Sequence, residues 1–177
     1  MLGIETVGKP DIFPVEELKN NRSDINEHLE SIYQHTKGCN VAVSLGVSRG
    51  YSAFALMLGC QNHITVDPNP NPEALNFLND YFGCKSKVII QETSQPIDLE
   101  EFDVLFIDYV HTADCVESEL KAHAHKVKKF ILLHDTWTFG DIGEDGKEGI
   151  KKPITDFLLK NEDWRIVYIE NKNNGMI

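Results

Sequence analysis

Val41-Ala-Val-Ser-Leu-Gly-Val-Ser-Arg-Gly-Tyr-Ser52 is the stretch whose reading decides the fold. Its first five residues form a short apolar run of β-type side chains that stops at Gly46. After Gly50, Tyr51 to Leu58 is rich in Ala, Leu and Phe and predicts a helix ending at Gly59. Strand, glycine turn and helix in that order open a βαβ unit. Working outward, residues 63–66 predict a second strand, closed by Asp67 and Pro68. Asn71 can then cap a helix, Pro72 suits its first position, and Glu73 favours its positive end. Leu75, Leu78 and Phe82 lie on one side of that helix, which is expected to stop at Gly83.

The same alternation continues. Residues 87–91, 104–107 and 130–133 predict three more strands, with a helix over 114–126 before the last of them. The runs Val104-Leu-Phe-Ile107 and Phe130-Ile-Leu-Leu133 are continuously apolar, as expected of parallel strands covered on both faces. A helix over 153–160 and a strand over 165–170 follow. Asn173-Asn-Gly175 is a hairpin signal that should turn the chain into an antiparallel end. The expected fold is α/β: a doubly wound, Rossmann-like sheet, mostly parallel, ending in a C-terminal antiparallel hairpin. Residues 39–177 would make this domain. Residues 1–38 would form an N-terminal arm packing on it, helical over 24–35 and irregular over 3–14.

The chain has 177 residues, with 17 basic and 28 acidic side chains and a formal charge of −11. That balance argues against a nucleic-acid partner held by bulk electrostatics. No apolar run approaches the ~20 residues of a membrane span, and Met1 to Lys37 has no basic segment followed by an apolar one. Cys39, Cys60, Cys84 and Cys115 are far apart and form no C-x-x-C pair, which suits reduced thiols and a cytoplasmic location.

In an open α/β sheet, ligands bind beyond the carboxyl ends of the strands. Gly46 and Gly50 let the first turn bend tightly and approach a ligand closely. Ser48 stands where a dinucleotide fingerprint would carry its second glycine, so pyrophosphate binding is disfavoured. Asp67 lies about 20 positions beyond Gly46, where a carboxylate can accept both hydroxyls of a ribose. Asp108 and Asp135 end two strands expected to be neighbours and form an oxygen pair suited to Mg²⁺ or a related divalent cation. Their ordinary alternative is helix capping. His134 either adds a third ligand or orients the strand end. His111 could take a proton from a substrate hydroxyl, or be a capping histidine. His123 and His125, among lysines, read as a solvated face. The acidic, glycine-rich stretch Trp137 to Gly149 either closes over a substrate or is merely flexible.

Three pieces in this order resemble the class I S-adenosylmethionine-dependent methyltransferases: Ser44-Leu-Gly-Val-Ser-Arg-Gly-Tyr-Ser52, Phe102-Asp-Val-Leu-Phe-Ile-Asp-Tyr-Val-His111 and Leu133-His-Asp-Thr136. The likeness is greatest to the small family of cephalosporin hydroxylase-like and macrolide or sugar O-methyltransferases, and it runs from about Val41 to the C-terminus. The resemblance implies S-adenosyl-L-methionine as cofactor, held by Ser44, Gly46, Ser48, Gly50, Ser52, Asp67 and Asp108, with Glu92, Thr93 and Ser94 near the adenine. It implies Asp108 and Asp135 as ligands of a divalent cation, with His134 the candidate third ligand from its position, and it places His111, beside Asp108, where related metal-dependent enzymes carry a catalytic base. That family carries an acidic residue at the position of Ser44, where a hydroxyl brings no charge.

The expected activity is methyl transfer to a hydroxyl of a small molecule such as a sugar or secondary metabolite. The rival expectation is a non-catalytic module that binds S-adenosylmethionine or a nucleotide. A nucleotide-sugar or NAD enzyme on a similar sheet is a third reading. A homo-oligomer whose neighbouring subunit completes the acceptor pocket is left open.

Overall fold

The computed structural model describes residues 23–82 and 86–177. A 3-10 turn, Asn26–His28, leads into α1 (Leu29–Thr36); then follow β1 (Val41–Leu45), α2 (Tyr51–Gly59), β2 (Asn62–Val66), α3 (Pro72–Phe82) and β3 (Ser86–Ile89). The second half comprises β4 (Phe102–Ile107), α4 (Ala113–His123), a 3-10 turn (Ala124–Lys126), β5 (Val127–Leu133) and α5 (Lys151–Lys160). The strands form one sheet in the order β3-β2-β1-β4-β5, and every neighbouring pair is parallel. The chain therefore leaves β1 toward β2 on one side and returns to it through β4 on the other. That reversal opens a crevice at the carboxyl ends of β1 and β4.

Alternation along the strands sorts the core into two layers. Ala42, Val104, Phe106 and Leu132 face α1, α2 and α3, where Leu29, Ile32, Tyr33, Phe54, Leu56 and Leu78 are buried against them. Val43, Leu45, Leu105 and Ile107 face the other way, onto Val116 and Leu120 of α4 and Ile154 of α5. Helices on both faces explain why the runs 104–107 and 130–133 are continuously apolar.

The helix ends follow the chemistry of their first residues. The Asn71 side chain accepts from Glu73 N at 2.9 Å, and Thr112 Oγ1 accepts from Cys115 N at 3.3 Å. Gly50 starts α2 from a left-handed backbone, with φ 84°.

Three expectations are corrected. The segment 165–170 forms no strand, so the C-terminal antiparallel hairpin is absent. The turn itself is made, with Asn173 and Gly175 at positive φ, but it supports only single bridges of Met176 to Glu170 and to His134. Ile166, Val167 and Ile169 stay exposed, and Tyr168 instead ties the segment to α1 through a 2.8 Å hydrogen bond with Ser31 Oγ. His123 is fully buried rather than solvated: it shares the inward face of α4 with Val116, Glu119 and Leu120, and its Nε2 donates to Thr93 O at 2.6 Å. The predicted helix over 114–126 ends at His123, and its last turn tightens to 3-10 geometry. The expectations for residues 3–14, Gly83 and Cys84 lie outside the described residues. No helix among the described residues is long and apolar enough to cross a membrane.

Candidate active site

The glycine turn is built against the loop that follows β4. Gly46 N donates to Val66 O at 2.9 Å, and Gly46 has a φ of 89°. A Cβ there would lie 2.3 Å from the backbone oxygen of Asp108, so only glycine lets the two loops meet. Gly50 N closes the turn onto Val47 O at 2.7 Å, and Ser48 between them is held at φ 43°. Asp67, at the end of β2, braces this turn from the other side. Its Oδ2 accepts from Val47 N at 3.0 Å and its Oδ1 from Asn69 N at 2.8 Å. Each carboxylate oxygen keeps a lone pair for a further donor.

Two adjoining recesses occupy the crevice. One, of about 320 Å³, is lined by Gly46, Ser48, Asp67, Asn69, Asn71, Asp108 and Tyr109. The other, of about 110 Å³, shares Ser48, Asp108 and Tyr109 with it and adds Arg49, Gly50, Tyr51, Ser52, His111 and Asp135, with Asp24 and Ile25 at its edge. Asp108 thus stands on the boundary between them.

The smaller recess ends on a cluster of carboxylates and imidazoles. His111 Nε2 is 3.0 Å from Asp135 Oδ2 and 3.4 Å from Asp108 Oδ1. His134 Nδ1 is 3.1 Å from Asp108 Oδ1 and 3.4 Å from Asp135 Oδ2, while its Nε2 faces the Asp24 carbonyl at 3.1 Å. Because both nitrogens of His134 face acceptors, both carry protons. Burial pulls this imidazole down, but the hydrogen bonds and charges of Asp108 and Asp135 outweigh it and hold it at about 10. Burial likewise opposes ionisation of Asp108, and the bonds from His111 and His134 overcome it, taking the carboxyl to about 2. His111 is raised for the same reason: burial opposes its charge, and Asp108, Asp135 and Glu144 favour it. His28 packs edge-on to His134 at 5.3 Å between ring centroids; burial first, and then the charge on His134, push it down.

Asp135 has a φ of 59°, in the left-handed region that Asp tolerates better than most residues. A backbone held there at the end of a strand aims the carboxylate into the recess at a cost in strain.

The structure brings together Gly46, Ser48, Gly50, Ser52, Asp67, Asp108, His111 and Asp135. It does not bring Ser44 to the rim. Ser44 is fully buried in β1, where its hydroxyl is 3.1 Å from His63 Nε2 and 3.3 Å from Thr65 Oγ1. Burial keeps His63 neutral, pushed down to about 3. Thr93 and Ser94 line neither recess: Ser94 is exposed, and Thr93 is buried against His123 near Glu119, whose carboxyl burial drives up to about 7. His134 stands behind the carboxylates with both nitrogens engaged, which leaves His111 as the third donor. Atoms of Asp108, His111 and Asp135 all lie within 4.8 Å of one another. Asp135 Oδ1 is buried without a hydrogen-bond partner. An orphaned carboxylate oxygen beside the ionised Asp108 and the imidazole of His111 fits a hard divalent cation.

Sequence reasoning overlooked Arg49 and Tyr109, although both sit inside the quoted motifs. It also overlooked Asp24, Phe139 and Glu144, which reach the site from elements distant in sequence.

No family model matches the chain, and no curated protein sequence matches it. Solved structures do. N-methyltransferase NodS from Bradyrhizobium japonicum, in complex with S-adenosyl-L-homocysteine, superposes with a TM-score of 0.65 at 12% identity, over 91% of this chain and 87% of NodS. The fold is that of the class I S-adenosylmethionine-dependent methyltransferases. A Staphylococcus aureus protein described as a caffeoyl-CoA O-methyltransferase matches with a TM-score of 0.64 at 14% identity, covering 85% of this chain and 80% of the other. Magnesium protoporphyrin IX methyltransferase from Synechocystis, with bound S-adenosylmethionine, matches at 0.62 and 13% identity, covering 83% and 74%. At these identities the methyltransferase likeness is one of architecture. It agrees with the crevice at the β1–β4 switch point, where this fold takes its ligand.

Proposed function

We propose that the chain is an S-adenosylmethionine-dependent methyltransferase acting on a hydroxyl of a small molecule, assisted by a divalent cation. The observation that carries the reading is the position of Asp108. It borders both the larger recess, suited to a nucleoside by Asp67 and the glycine turn, and the smaller one, which ends on His111 and Asp135.

In this reading Asp67 accepts the ribose hydroxyls, and the backbone of Gly46 to Gly50 lies close to the amino-acid end of the cofactor. S-adenosylmethionine, when bound, supplies a methyl carbon whose bond pair returns to sulfur as an acceptor oxygen forms the new C–O bond. The acceptor hydroxyl sits in the smaller recess, and its proton passes to His111 Nε2. Asp108, Asp135 and His111 offer the donor atoms for a cation such as Mg²⁺, which would lower the hydroxyl pKa. Ligation and proton transfer at the same Nε2 exclude each other, so a bound cation that engages only the carboxylates leaves His111 as base. Arg49 and Tyr51 border the acceptor side and would contact the rest of the molecule.

Calorimetry with S-adenosylhomocysteine, NAD⁺ and a nucleotide sugar tests the reading. Binding of S-adenosylhomocysteine alone is the expected result, and binding of NAD⁺ alone would overturn it. Transfer of labelled methyl to hydroxylated acceptors, with and without chelator, then separates an enzyme from a binding module. Full turnover in chelator would remove the cation.

A further inference from the structure

We propose that Glu144 is a positioning residue for His111: it holds the proton on Nδ1, so that Nε2 is the nitrogen presented to the recess. The inference rests on the reading of His111 as the base or ligand of the site.

Its basis is the stretch from Trp137 to Gly149, which is built rather than loose. Ile142 bridges Glu148 in antiparallel fashion, and Gly143 N donates to Lys147 O at 2.9 Å. The tip turns tightly, with Gly146 N on Gly143 O at 2.9 Å and Gly146 at φ 77°. At its base Gly149 N donates to Asp141 O at 3.0 Å, and a Cβ on Gly149 would come within 2.3 Å of Gly140 O. Glycine there permits the two arms to close.

This small hairpin is fastened onto one residue of the site. Glu144 N donates to the His111 carbonyl at 3.1 Å, and a Cβ on Gly143 would stand only 3.0 Å from that same oxygen. Phe139, at the start of the stretch, stacks on the His111 ring with centroids 5.2 Å apart and planes 14° from parallel. The Glu144 carboxylate then meets the ring edge, with Oε2 3.6 Å from Nδ1. Backbone and side chain of Glu144 therefore address the same histidine, while its face is covered by Phe139. On the opposite edge Nε2 points to Asp135 and Asp108.

The distance of 3.6 Å is an ion-pair separation rather than a hydrogen bond, and such contacts tighten when a site is occupied. A carboxylate behind the far nitrogen of a histidine fixes its tautomer and ring orientation, whether the near nitrogen takes a proton or a metal. Removal of such a partner typically costs about 10–100-fold in metal affinity.

Two measurements on the full chain test the proposal. The first titrates Mn²⁺ and reads the free ion by electron paramagnetic resonance. The second records ¹⁵N spectra of histidine-labelled protein, with His111→Gln assigning the ring signals. Glu144→Leu is expected to weaken Mn²⁺ binding by about 10–100-fold and to lose the protonated Nδ1 signal. Glu144→Gln, whose amide oxygen still accepts, is expected to keep that signal. Asp141→Leu, on the same hairpin, should change neither, and circular dichroism should report the same fold for all. A Glu144→Leu protein that retains the Nδ1 proton signal overturns the proposal, as does a wild-type ring protonated only at Nε2. If the wild type binds no Mn²⁺, the cation in the proposed function fails, and the ¹⁵N spectra alone decide the role of Glu144.

Discussion

The two banks of the crevice hold their carboxylates by different means. On the β1–β2 side, Asp67 is satisfied by backbone N–H groups of Val47 and Asn69. On the β4–β5 side, Asp108 and Asp135 lie against the rings of His111 and His134. Backbone N–H groups are fixed donors, so the first bank presents its carboxylate in one orientation. Imidazoles titrate, so the charge on the second bank depends on pH. A fixed bank suits the recognition of a neutral ribose, and a titratable one suits proton transfer and metal chemistry.

The sharpest way to break this contrast is Asp135→Asn. Asn tolerates the same positive φ, so the change removes charge and leaves the backbone conformation accessible. Methyl transfer should fall on the order of 10²- to 10³-fold, while calorimetry finds S-adenosylhomocysteine affinity within about threefold. Equal losses in both would merge the two banks into one.

His134→Gln comes next, because it removes one of the two imidazoles that face the Asp108 and Asp135 carboxylates. Unfolding free energy should drop by about 3 kcal/mol, read as a fall in Tm on the order of 6–12 °C. Raised to about 10 when folded, His134 contributes stability that is fully present below its ordinary value of 6.5 and is lost as pH rises toward 10. Thermal melts of the wild type should therefore decline between those limits, and the variant should lose that part of the slope. The depressed Asp108 acts at the other end: its contribution holds above 3.8 and disappears as pH falls toward 2.

Asp67→Ala should lower S-adenosylhomocysteine affinity by about 10–100-fold, as expected when a carboxylate hydrogen-bonded to a ligand is lost and two backbone donors are orphaned. The smallest effect belongs to Ser44→Ala, which should leave ligand affinity unchanged within about twofold and cost about 1 kcal/mol of stability.

The contrast also explains what could be read from the chain. β4 and β5 were legible because a parallel sheet covered on both faces leaves continuous apolar runs, β1 to β3 as shorter β-type runs bounded by turn residues, and several helices because caps and glycines mark their ends. That Asp67, Asp108, His111 and Asp135 meet at the crevice was legible because each lies within four residues of a strand's carboxyl end. Ser44 misled because it lies in the quoted motif, yet alternation turns its hydroxyl inward to His63 and Thr65. His123 was misjudged from its charged neighbours, although its spacing from Val116 and Leu120 matches one helix face. The terminal turn was correctly placed, but a turn motif cannot supply a ladder partner for Arg165 to Ile169. Glu144 and Phe139 carried no local signal, since their meeting with His111 depends on how a later hairpin folds back.

The strand order also has a consequence in time. β1 pairs with β2 almost at once in synthesis, but its other neighbour, β4, begins at Phe102. At about 5–20 residues per second, the ribosome takes roughly 3–11 s to deliver that strand after β1 has been made. Through that interval the free side of β1 offers unpaired amides and carbonyls to any passing extended chain. The same reversal that creates the ligand crevice therefore leaves a nascent edge open at the centre of the future sheet.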